Sequence, residues 1–72
     1  MDDIIYSVQT PHEKIKVKFY AYMNVLCAFL VYFEDNRAGA PYIFENFSQA
    51  KIMFMGMFGV NESEMIEERN QK

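Results

Sequence analysis

Between Lys14 and Met23 the chain alternates without a break. Ile15, Val17, Phe19, Ala21 and Met23 fall on one side of an extended backbone, and Lys14, Lys16, Lys18, Tyr20 and Tyr22 on the other. That is the period of two required by a strand with one buried face. β-branched and aromatic side chains crowd the run from Ile15 to Phe33, as pleated surfaces prefer. The pattern predicts four strands, at about residues 3–9, 14–23, 26–33 and 42–45. They pair as two hairpins: Asp3 to Gln9 with Lys14 to Met23, then Leu26 to Phe33 with Tyr42 to Glu45. The second pair is joined through "EDNRAGAP", whose Asp35, Asn36, Gly39 and Pro41 are turn residues. Asn24 marks a change of direction or a bulge between the hairpins.

The same stretch admits an all-α alternative. Thr10-Pro11-His12-Glu13 has the form of a capping box, with Thr10 as N-cap, Pro11 at the first helical position and Glu13 reaching back. A helix from about residue 11 to 34 would carry large apolar groups on every side beyond Lys18, and so few remaining residues could not cover it. The tetrapeptide serves equally well as a turn, since Pro11 presets φ and Thr10 bonds locally. A membrane span is disfavoured: the fifteen residues from Phe19 to Phe33, closed by Lys18 and by Glu34-Asp35, fall short of the ~17–25 that a helix needs to cross.

Beyond Glu45 the period changes. Ser48 is the expected N-cap of a helix over about residues 48–58 and Gly59 its stop. Asn61, with Glu64 three residues on, caps a second helix over about 62–70, and Asn70 to Lys72 are expected to fray. The predicted architecture is therefore α+β. One small domain, residues 1–72, holds a small antiparallel sheet with two short C-terminal helices packed on one face.

Composition sharpens this picture in one respect. Half the residues are hydrophobic (51%) and 17% are aromatic, whereas a domain this small buries only roughly 60–65% of its unfolded surface. More apolar surface is present than one small core hides. With a single cysteine and a single histidine, neither a disulfide nor a zinc site can close within the chain, and a reducing cytoplasm is the expected setting.

Candidate chemistry is sparse. His12 sits in the predicted turn without a partner to orient it, and Ser7 is a weak nucleophile candidate. Cys27 lies among Leu26 and Ala28 and reads as a small core residue. Glu64, Glu67 and Glu68 share one face of the second predicted helix as a solvated acidic surface, with no matching set to complete a metal site. Gly56 and Gly59 lack the Lys and Ser or Thr of a phosphate loop. No catalytic residue, cofactor or metal is therefore expected. A net charge of −3 disfavours direct nucleic-acid binding, and glutamates on the second helix argue against a helix-turn-helix.

The positive signal is "KIMFMGMFGV". Met53, Met55, Met57 and Phe58 cover more than one helix face with adaptable apolar groups; they fill the core or form the kind of surface by which one protein grips another, and one face can pack on the sheet while the other is offered outward. Asp2, Asp3, Glu64, Glu67 and Glu68 would steer a basic surface toward it. The expected function is a small acidic protein-binding module that modulates or inhibits a larger partner without catalysis. In size and charge it resembles the compact modulators of phages and mobile elements. The alternative is a homo-oligomeric or membrane-surface-associated structural subunit, a homodimer included.

Overall fold

A computed structural model describes residues 2–68 of the chain. The order of elements is β1 (Ile4–Gln9), β2 (Lys14–Tyr22), β3 (Leu26–Tyr32), β4 (Tyr42–Phe44), helix α1 (Phe47–Phe58), one 3-10 turn (Glu62–Glu64) and β5 (Met65–Glu68). The strands form one antiparallel sheet in the order β4-β3-β2-β1-β5. The fold is thus α+β, with the four expected strands in place and a fifth that was not expected.

Two junctions show why β2 is a strand and the long helix does not form. At Thr10 the hydroxyl accepts from the Glu13 amide (3.0 Å) and donates to the Glu13 carbonyl (2.7 Å). The groups that suggest a helix start therefore close the β1–β2 turn. At the far end of β2 the chain reverses through Met23 and Asn24, with φ of 53° and 64°. Asparagine tolerates that left-handed region and methionine does not, at a cost of about 1 kcal/mol. The first four strands consequently run as one continuous meander rather than as two separate hairpins, because β2 pairs β3 from Lys16↔Tyr32 to Tyr22↔Leu26.

The core lies on one face. Tyr6, Val8, Ile15, Val17, Phe19, Cys27, Phe29 and Val31 point from the sheet toward Ala50 and Phe54 of α1. Phe19 stands edge-on to Tyr6, Phe47 and Phe54, with ring centroids 5.9, 5.2 and 6.1 Å away, a geometry the ring quadrupoles favour. Among the described residues no buried side-chain polar atom lacks a hydrogen-bond partner.

Helix α1 begins at Asn46, whose side chain accepts from the Gln49 amide (2.9 Å), not at Ser48 as expected. Both residues are good caps; with Asn46 in that place Phe47 joins the helix and packs against the core, as does the buried Ala50. The stop at Gly59 is as expected: its φ is 64°, and the Val60 amide returns to the Met55 carbonyl (3.1 Å) while Val60 is buried beneath the turn. This is a Schellman ending with its apolar contact.

The predicted helix over 62–70 is not formed within the described residues. Glu64 does reach back from its carboxylate to the Asn61 amide (2.8 Å), but the cap starts only a single 3-10 turn. Met65–Glu68 then pairs with β1, from Val8↔Met65 to Ile5↔Glu68. A nine-residue helix is marginal on its own, whereas the strand buries Met65 and covers an edge of β1 that would otherwise lie open. Residues 69–72, including the end of that predicted helix and the frayed tail, lie outside the described residues.

Candidate functional site

A surface helix ordinarily turns charged side chains to water. Helix α1 does not. Its one charged residue is Lys51, and this folds back against the Tyr6 and Phe47 rings (5.1 and 5.8 Å to the centroids) while its ammonium bonds Glu62 at 2.9 Å. The hydrogen bond to Glu62 holds the Lys51 pKa above its ordinary value, against the opposing effect of burial. The outer stripe of α1 begins with the uncharged polar Ser48 and Gln49 and beyond them is left to Ile52 (66% exposed), Met53 (44%), Gly56 and Met57 (45%).

The structure therefore divides the predicted methionine and phenylalanine set. Met53 and Met57 face outward, whereas Met55 and Phe58 are half-buried and pack against the core. Ile52, the most exposed large side chain of the helix, is an addition to the set. The sequence signal for it was available: between Phe47 and Phe58 there is no second charge to form a polar face.

Met53 also lines a shallow groove of ≈ 520 Å³ with Leu26, Ile43, Phe44, Glu45 and Gln49. This groove runs along β4, which has β3 on one side and, among the described residues, no strand on the other. Tyr42 and Phe44 turn to the helix side, where both stack on Phe29 with ring planes 23° and 11° from parallel. Ile43 points to the opposite face and pairs with Ala28. That alanine is fully buried yet stands apart from the helix-side core, so the uncovered face of the sheet has a small apolar patch of its own around it.

The predicted acidic residues do not form one patch. β1 starts where β5 ends, so Asp2 and Asp3 lie at the same end of the sheet as Glu67 and Glu68. Glu64 lies at the other end of β5, engaged with Asn61. Glu67 and Glu68 project from opposite faces of a strand, contrary to a shared helix face. Glu68 accepts from the Ser7 hydroxyl and pairs with Lys16 at 3.3 Å, and these contacts hold its pKa below the ordinary glutamate value.

His12 is exposed, and beside it a cleft of ≈ 340 Å³ opens between Pro11, Phe33, Met57 and Phe58. No hydrogen bond of its ring is formed among the described residues. The Glu13 carboxylate accepts instead from the Glu34 amide (3.4 Å). Cys27 is buried, and desolvation raises its pKa. No group of three or more potential metal ligands occurs among the described residues, and none of their helices is long and apolar enough to cross a membrane.

No family model, curated protein or solved structure matches this chain.

Proposed function

We propose that this protein is a binding module that grips a larger protein partner through the outer stripe of α1, modulating or inhibiting it without turnover. The observation that carries this reading is an outer helix face without an exposed charge, on which Ile52, Met53, Gly56 and Met57 follow Ser48 and Gln49. Exposed apolar groups gathered in this way, on a core that is already closed, mark an interaction site rather than unfinished packing. Thioethers adapt to the shape of a partner, and Gly56 lets another backbone approach the helix. The acidic end of the sheet, with Asp2, Asp3 and Glu67, favours a partner bearing a basic surface.

The test is site-specific photo-crosslinking in cells of the native source. A crosslinker at Ile52 is expected to yield one discrete adduct with a larger protein, and Met57→Lys is expected to abolish it while circular dichroism stays unchanged. Neutralising Asp2, Asp3 and Glu67 together is expected to slow association with that protein and flatten its salt dependence. No adduct from Ile52, or an adduct indifferent to Met57→Lys, would remove the stripe as the binding face.

A further inference from the structure

The two edges of the sheet are built differently. β5 ends in Glu67 and Glu68, and charge on an edge strand prevents pairing with other chains. β4 reads Tyr42-Ile43-Phe44, three large side chains without a charge, between Pro41 and Glu45. Nothing among the described residues covers it. We infer that β4 pairs with β4 of a second copy about a two-fold axis through Ile43, extending the sheet across the interface.

The register argues for a second copy in particular. With the axis at Ile43, Tyr42 of each copy lies opposite Phe44 of the other, an aromatic cross-strand pair at each end of the seam. These rings lie on the helix side and are already stacked on Phe29, at 5.2 and 5.7 Å between centroids. Little side-chain freedom is lost when they meet. The two Ile43 side chains meet on the opposite face, each backed by the buried Ala28.

Charge is accommodated as well. Although each copy has a net charge of −3, Glu45 falls opposite Pro41 of the other copy and not opposite another glutamate. Because the axis passes between the two Ile43 residues, the outward amide and carbonyl of Ile43 meet those of the other copy, whereas Pro41 brings no amide to the seam and the Glu45 amide donates to the Gln49 side chain (3.2 Å). The groove lined by Met53, Gln49 and Phe44 becomes half of one trough spanning the axis, in which Tyr42 of the other copy fills the space beside Phe44. A two-fold contact of this kind is self-complementary and closes at two copies. It leaves Ile52 and Met57 of both helices open on one side of the dimer, while Met53 borders both the trough and the outer stripe; sedimentation of the chain alone and crosslinking from Ile52 test the two surfaces separately.

The purified chain alone suffices for the test. Sedimentation velocity over a concentration series is expected to give a species of twice the 8.5 kDa chain mass. Ile43→Lys places two ammonium groups on the axis and is expected to weaken the dimer at least about tenfold, whereas Ile66→Lys on β5 leaves it intact. In a Cys27→Ala background, Ile43→Cys is expected to form a covalent dimer on mild oxidation, since paired residues across antiparallel strands lie within disulfide reach. Ile66→Cys is expected not to do so. A chain monomeric at all concentrations, or a dimer that survives Ile43→Lys and dissociates with Ile66→Lys, would overturn the assignment.

Discussion

Gly56 lies inside α1 and Gly59 just past its end, and their substitutions should act in opposite directions. A Cβ at Gly56 would meet nothing within 4 Å, and an interior helical glycine costs about 0.5–1 kcal/mol relative to alanine. Gly56→Ala is therefore expected to stabilise the monomer by about that much in urea unfolding. Gly59 has a φ of 64°, a conformation that alanine resists, so Gly59→Ala should cost about 1 kcal/mol. A similar contrast separates two apolar neighbours. Phe54 is fully buried among Phe19, Phe29 and Phe58, and Phe54→Ala should cost about 3–5 kcal/mol through lost contact and a cavity. Ile52→Ala, on the outer stripe, should change stability by less than about 0.5 kcal/mol. Denaturant midpoints at constant m-value measure all four substitutions.

At the scale of elements, β5 should respond to acid. Contacts with Ser7 and Lys16 depress the Glu68 pKa, so the native state holds this carboxylate ionised more readily than the unfolded chain does. The resulting stability is complete above the ordinary glutamate range. It is lost as pH falls through the lower folded value, because native Glu68 must then take up a proton already bound in the unfolded chain. Glu68→Gln should remove that part of the acid dependence, which backbone amide exchange in Met65–Glu68 would report against exchange in β3. β5 is also the element least legible in the sequence. Its Glu-rich "MIEE" follows an Asn61…Glu64 cap and reads locally as helix, whereas its strand state is dictated by β1, some sixty residues earlier. Long-range pairing of that kind leaves no local periodicity to detect. β1 to β4, by contrast, were legible to within a residue or so at their ends, since alternation survives wherever one sheet face is buried. The stripe on α1 was legible as a set of apolar residues. Its division into inward Met55 and Phe58 and outward Met53 and Met57 required the docking angle of the helix.

The whole molecule presents three distinct surfaces: the apolar stripe of α1, the uncovered sheet face with Lys14, Lys16 and Lys18 along β2, and the two unlike edges. Its charges are segregated more than a net value suggests. Of the acidic residues in strands, Glu68 alone shares the face of the three lysines, and it is paired with the central one. Net charge describes the chain; the folded molecule meets its surroundings face by face. The unlike edges set how many bonds each subunit can make in a chain of subunits. A subunit with two adhesive edges is a bifunctional monomer, and its product is a filament of indefinite length. One with a single adhesive edge is monofunctional, and growth terminates after the first addition. By this measure Glu67 and Glu68 are chain terminators, and replacing both with valine would give the sheet a second reactive end and turn a closed pair into a propagating fibre.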